Sequence, residues 1–237
     1  MIGVKGMRYW MKGMLSWVVV PVLSGPLKGC WFGLFTGSRF IRGTYGENEA
    51  ATFQRLLKAG DVVLDIGAHV GYFTLLAARL VGSSGKVFAF EPLPLNLAYL
   101  NRHVLANRLT NVEVLPVAVG RNAGQLSFDS AGGTGRGRLG DDGRTGELQV
   151  EVVSLDDMHD QGRLPGPNLI KMDVEGVEVE ALHGASRLLA QYRPNILLSV
   201  HGEAAKRESE TFLRQLGYHL SYFKQSTIIA VPSAGNG

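Results

Sequence analysis

Five short apolar runs rich in β-branched residues, at 62–66, 87–90, 112–119, 169–172 and 196–200, alternate with stretches of helical periodicity. That alternation leaves few folds open. Turn residues bound each run, the look of a strand buried on both faces. Helices are read at 47–59, 72–81, 95–106 and 177–190, the last placing Val177, Ala181, Ala185, Leu188 and Leu189 on one side. The first has acids in its opening turn, Lys58 in its last and Gly60 just beyond, which are start and stop signals. Strand alternating with helix predicts an α/β fold: a doubly wound, mostly parallel sheet with helices on both faces. Residues 125–129 and 148–153 are read as an inserted β-hairpin flanking that sheet. Between them, 130–146 holds seven glycines, three arginines and two aspartates and reads as a loop beside the site, with RNA binding as the alternative.

The chain has 237 residues, 45% of them hydrophobic and 19% charged, the balance of one compact domain and not of a disordered segment. Cys30 is the single cysteine, which excludes an internal disulfide and a multi-thiolate zinc site and suits a reducing compartment. The net charge of +3 hides an asymmetry. Residues 1–46 carry six basic side chains and no acid, whereas the rest carries 18 basic against 21 acidic. Trp10, Trp17 and Trp31 also fall in the basic segment. Its apolar run, 14–23, contains Pro21 and is far short of the roughly 20 residues that span a bilayer. Three readings stand: an N-terminal arm, 1–46, packed on a catalytic domain of 47–237; peripheral membrane contact through 1–24; or an export signal.

Asp65-Ile66-Gly67-Ala68-His69-Val70-Gly71 closes the first strand directly ahead of a helix. At such a turn a nucleotide-like ligand binds, because glycine admits close backbone approach and the helix start offers free amide donors. Glu91, at the end of the next strand, is placed to accept hydrogen bonds from ribose hydroxyls. The spacing G-x-x-x-G is not the dinucleotide fingerprint G-x-G-x-x-G, and the G-K-S/T of a P-loop is absent. His69 occupies the middle position of a D-x-G-x-G-x-G pattern, and histidine is among the residues enriched at positive φ. It is read either as a cofactor contact or as a helix cap.

These blocks, in order, resemble the FkbM-type S-adenosylmethionine-dependent methyltransferases. The resemblance runs through Gly25-Pro26-Leu27-Lys28-Gly29, Gly43-Thr44-Tyr45, the Asp65 turn continued by Tyr72-Phe73-Thr74, Phe90-Glu91-Pro92, Ala118-Val119-Gly120, Ser154-Leu155-Asp156-Asp157 and Ile170-Lys171-Met172-Asp173-Val174-Glu175-Gly176 followed by Glu178. It implies a class I methyltransferase, Rossmann-like sheet, S-adenosylmethionine as cofactor, and methyl transfer to a hydroxyl of a sugar or natural product. Its implied cofactor-binding residues are Tyr45, Asp65, Gly67, Ala68, His69, Gly71, Tyr72, Thr74, Glu91, Pro92 and Ala118. Two positions depart from the family pattern: His69 stands where asparagine is usual, and Gly46 separates Tyr45 from Glu47.

Ligands bind outside the carboxyl ends of strands in such sheets, which points to Asp173, Glu175 and His201 as the catalytic candidates. His201 is the candidate general base, since imidazole titrates near neutral pH. Asp173 is read as a carboxylate near the acceptor hydroxyl or as a helix cap, and the three together would suit a magnesium ion if they converged. The other histidines (His103, His159, His183, His219) are read as surface or packing residues. An RNA methyltransferase is the second function, motivated by a pI near 9.0 and the basic arm, and a non-catalytic, membrane-associated cofactor-binding protein is the third. The acidic core and the absence of an N-P-P-Y block favour a small hydroxylated acceptor over nucleic acid. A cytoplasmic location follows from the source of the cofactor, and a homodimer is left open.

Overall fold

The computed structural model describes residues 18–128, 148–174, 176–223 and 226–233. The first elements are a hairpin of β1 (Val19–Pro21) and β2 (Trp31–Gly33) and two helices, α1 (Ser38–Arg42) and α2 (Glu47–Leu56). Then follow β3 (Val62–Ile66), α3 (Tyr72–Val81), β4 (Lys86–Phe90), α4 (Pro94–Ala106) and β5 (Val112–Leu115). The remainder is β6 (Ala118–Val119), β7 (Gly124–Phe128), β8 (Leu148–Val153), α5 (Leu155–Asp160), β9 (Leu169–Met172), α6 (Glu178–His183), α7 (Ser186–Tyr192), β10 (Asn195–Ser199), α8 (Glu203–Gln215), β11 (Tyr218–Phe223) and β12 (Thr227–Pro232).

The main sheet has seven strands in the order β11-β12-β10-β9-β3-β4-β5. β10, β9, β3, β4 and β5 run parallel, and β12 lies antiparallel between β10 and β11. The chain builds outward from β3 through β4 to β5 and then returns to lay β9 on the other side of β3. The reversal puts the crevice for a ligand between the carboxyl ends of β3 and β9. Both strands are buried almost throughout, as parallel strands covered by helices must be.

Two expectations need correction, for 112–119 and 177–190. Residues 112–119 are not one strand: the ladder stops before Pro116, which has no N–H to donate, and β6 leaves to pair in parallel with β8. The β7–β8 pair forms as expected, and with β6 it makes a separate three-stranded sheet whose Val119 and Val153 pack in one cluster with Ile66 and Phe90 of the main sheet. The stretch 177–190 is two helices. Gly184 lies so close to Gly120 that a Cβ would meet its carbonyl oxygen at 2.0 Å, and the Gly184 carbonyl accepts from the backbone N–H of Asp156 and the hydroxyl of Ser154. The Asp156 carboxylate then accepts from the N–H groups of Arg187 and Leu188 and so starts α7 afresh.

The hairpin packs into the domain. Val22, Leu27, Phe32 and Phe40 are buried in one cluster with Phe53, Val63, Leu75 and Tyr99. His103 of α4 holds this junction. Its Nε2 accepts from the Gly33 N–H at 2.7 Å, its Nδ1 then carries the proton that it donates to the Val70 carbonyl at 2.6 Å, and its ring stacks on Phe32. A Cβ at Gly33 would come within 2.9 Å of that Nε2. No helix among the described residues is long and apolar enough to cross a membrane.

Burial lowers the His103 pKa to about 4. The unfolded chain, titrating near 6.5, therefore binds the extra proton in the window between, and stability is full above pH 6.5 and falls as the pH drops toward 4. About 2 kcal/mol is lost through this residue by pH 5, from the shift and roughly 1.4 kcal/mol per pH step. In urea unfolding at pH 7 and 5, the wild type should lose about 2 kcal/mol more than His103→Gln, which should be less stable at pH 7 but flatter in pH.

Candidate active site

The turn after β3 is shaped by what crowds it. Gly67 has φ +73°, and a Cβ there would sit 1.9 Å from the carbonyl oxygen of Asp173; Gly71 has φ +88°, and a Cβ would meet the Leu100 side chain at 2.5 Å. Both glycines thus let the turn lie against β9 and α4, at a φ that side chains seldom adopt. His69, between them, takes φ +54°, in the left-handed region it was expected to tolerate. Gly71 is the N-cap of α3 and no side chain caps it, so His69 is not a capping residue. Its backbone N–H donates to Glu91 Oε2 at 2.8 Å.

Behind the turn, Asp65 is fully buried. Its Oδ2 accepts from the Thr74 hydroxyl at 2.6 Å, and its Oδ1 lies 3.3 Å from Nζ of Lys171. The same ammonium donates to the Gly67 carbonyl at 2.7 Å. Opposed by its own burial, the Lys171 pKa is nevertheless raised by Asp65 and Asp173, so it stays charged. A lysine in a core strand shows in the sequence only as a break in the apolar run 169–172, and it was not among the candidates.

A cavity of about 260 Å³ opens at the carboxyl ends of these strands. Its wall includes Gly67, Ala68 and His69 after β3, Glu91 and Pro92 after β4, Ala118, and Lys171 and Asp173 from β9. Phe40 and Tyr45 of the N-terminal segment and Tyr72 at the start of α3 close another side. Of the expected cofactor residues, eight reach this wall: Tyr45, Gly67, Ala68, His69, Tyr72, Glu91, Pro92 and Ala118. Asp65, Gly71 and Thr74 stand behind it and hold the turn. Nε2 of His69, the hydroxyl of Tyr72 and Oδ1 of Asn96 are buried polar atoms around the cavity without a hydrogen-bond partner, the state expected of groups awaiting a ligand.

Burial, assisted by the Lys171 charge, lowers the His69 pKa to about 4, so the imidazole is neutral near pH 7. Burial raises the Glu91 pKa against the hydrogen bonds from Leu93, Asn96 and His69. Tyr72 is pushed up to about 12 by burial, with Tyr45, Glu47 and Glu49 adding to it, and Tyr45 is raised by burial in spite of Lys171.

Asp173 and His201 are brought together: Nε2 of His201 is 3.9 Å from Asp173 Oδ1. Its Nδ1 is 2.5 Å from Oε1 of Glu178, which is fully buried and was not foreseen as part of the site. Asp173 does not cap α6, whose N-cap is Val177 with no side-chain cap bond. Glu175 lies outside the described residues. Among those described, no three His, Cys, Asp or Glu side chains gather as a metal cluster.

Residues 65–220 match the methyltransferase FkbM domain. The chain belongs to the FkbM methyltransferase family. S-Adenosylmethionine is the family's cofactor. Among curated relatives, the hexuronic acid methyltransferase AglP of Haloferax volcanii is 30% identical over 135 residues, 54% of this chain and 52% of that protein. Methyltransferase sdnD of Sordaria araneosa is 27% identical over 199 residues, 70% of this chain and 76% of that protein. The crystal structure of a methyltransferase FkbM from Methylobacillus flagellatus superposes with a TM-score of 0.55 at 18% identity, covering 78% of this chain and 51% of that one. The chain thus spans about half the length of the Haloferax and Methylobacillus proteins, and the class I methyltransferase fold is common ground.

Breaking a buried ion pair from one side leaves an uncompensated charge and costs about 3–5 kcal/mol. Lys171→Met should therefore destabilise the protein by that order in chemical denaturation. Asp65→Asn combined with Lys171→Met should recover part of the loss, and a double variant no better than Lys171→Met would show that the pair is not the cause.

Proposed function

We propose that the protein transfers the methyl group of S-adenosylmethionine to a hydroxyl of a saccharide or other hydroxylated small molecule. The observation that carries this reading is the row Asp173, His201, Glu178 beside the cavity wall. When bound, the cofactor supplies an electrophilic methyl carbon with a neutral leaving group. What remains for the protein is to align the acceptor oxygen and take its proton.

Glu178 accepts the Nδ1 proton of His201, which fixes the tautomer, turns the basic Nε2 toward Asp173, and stabilises the imidazolium once a proton arrives. A hydroxyl entering beside Nε2 gives its single proton to His201, and the Asp173 carboxylate nearby stabilises the imidazolium that results. Glu91 would accept from ribose hydroxyls, the apolar faces of Pro92, Val117 and Ala118 would suit a purine ring, and Gly67 and His69 would hold the methionine end. A neutral imidazole there adds no positive charge near a sulfonium, and its unpartnered Nε2 offers a lone pair or a proton to the cofactor.

The Haloferax relative acts on a hexuronic acid, which supports uronic acids and their glycosides as the first acceptors to try with labelled cofactor. In that assay His201→Ala should lower kcat by about 10²–10⁴-fold, the ordinary range for a lost general base, and remove the ascending limb of the pH–rate profile. S-Adenosylhomocysteine should stabilise wild type and variant to similar extents. An unchanged pH profile in His201→Ala would remove the base from this residue. Methyl transfer to RNA in place of saccharide, weakening steeply with salt, would overturn the acceptor class.

A further inference from the structure

The exposed apolar surface of this protein is concentrated in one region. Of the eight large hydrophobic residues exposed among the described residues, six belong to the N-terminal hairpin and the adjoining end of α4: Val18, Leu23, Trp31, Leu34, Phe35 and Leu105. In β2 the side chains alternate, with Phe32 buried in the core and Trp31 left 46% exposed. Leu34 donates its N–H to the Val18 carbonyl at 2.9 Å, which joins the two ends of the hairpin. The backbone of Trp31 is clamped from both sides by the Asn107 carboxamide, two residues beyond Leu105. The patch therefore rests on a rigid base and spans neighbouring elements, unlike apolar residues scattered singly over a surface.

The charge of the same elements is one-sided. Residues 18–46 and 92–112 contain Lys28, Arg39, Arg42, Arg102 and Arg108 and no acid, although the chain as a whole carries 21 acidic groups. Lys28, Arg39, Arg42 and Arg108 are exposed. A two-fold contact between copies would set this basic face on itself, so its charge opposes self-association. Exposed tryptophan and aliphatic side chains edged by basic groups match the boundary between anionic headgroups and acyl chains.

We infer that the N-terminal hairpin, with the end of α4, docks the enzyme on an anionic lipid surface, lying on the bilayer without crossing it. This surface goes beyond the methyl-transfer reading and does not depend on it. Phe40 and Tyr45, which follow the hairpin directly, line the cavity, so docking brings one wall of the active site toward the membrane.

The test is co-sedimentation of the full chain with vesicles of phosphatidylcholine alone or with added phosphatidylglycerol. Binding should require phosphatidylglycerol and weaken with salt. The combined variant Trp31→Ser, Leu34→Ser, Phe35→Ser should bind at least about tenfold less tightly, and Lys28→Gln with Arg42→Gln should lose roughly fivefold per charge removed. Both variants should keep the thermal stabilisation by S-adenosylhomocysteine, which shows that they fold. Three results would overturn the inference: no sedimentation with either vesicle, equal binding to both, or wild-type binding by the apolar variant. So would a dimer in sedimentation equilibrium that the same apolar substitutions dissociate in the absence of lipid.

Discussion

The ion pair of Lys171 with Asp65 sits at the one place where the order of the sheet reverses, and the geometry of the site depends on it. A charge buried this deeply is costly unless each of its bonding positions is used. Here one carboxylate serves two partners, the Thr74 hydroxyl at the start of α3 and the Lys171 ammonium on β9, while that ammonium also holds the Gly67 carbonyl. Strand, turn, helix and neighbouring strand are therefore fixed by a single cluster. The close approach of Gly67 to Asp173, which leaves no room for a side chain, is the steric counterpart of the same tie. An apolar pair of similar volume could fill this space, but it would not fix the direction of the Gly67 carbonyl.

The same cluster sets the electrostatics of the cavity. Lys171 contributes to holding His69 neutral and works against the rise in the Tyr45 pKa caused by burial. Asp65 and Asp173 offset its positive charge. A site for a sulfonium cofactor needs such a balance, because a second uncompensated cation beside it would oppose binding. Glu91 extends the arrangement to the far end of the cavity, where its two oxygens already organise the backbone N–H groups of His69 and Leu93.

How much of this was legible in the sequence follows from the range of each signal. The runs at 62–66 and 169–172 and the helix at 72–81 were readable because both faces of a parallel strand, or one face of a helix, must be apolar whatever surrounds them. The single strand read at 112–119 failed at Pro116, where a missing donor outweighed continuous apolarity. The single helix at 177–190 failed because its interruption is caused from outside, by Gly120 and Ser154 pressing on Gly184. Among site residues, the glycines, Glu91 and Asp173 stand in local motifs. Lys171 and Glu178 stand in or just after the Asp173 motif, but the motif does not name their partners, and the role of His103 has no local signal. A lysine in a strand, a glutamate on a short helix and a histidine in an amphipathic helix look like ordinary surface or packing residues until their partners, far away in sequence, are placed beside them.

His103 also bears on the meaning of the N-terminal segment. It binds Gly33 of the hairpin with one nitrogen and Val70 of the glycine turn with the other, so the hairpin and the site share a support. Phe32 stacks on the same imidazole and on Phe40, and Phe40 packs in turn on Tyr45 and Tyr72. Four aromatic rings and one histidine thus pack in sequence from β2 to the cavity wall. Of residues 18–46, Phe40 and Tyr45 reach the cavity wall, so whatever occupies the outer face of the hairpin, this segment shapes the space inside.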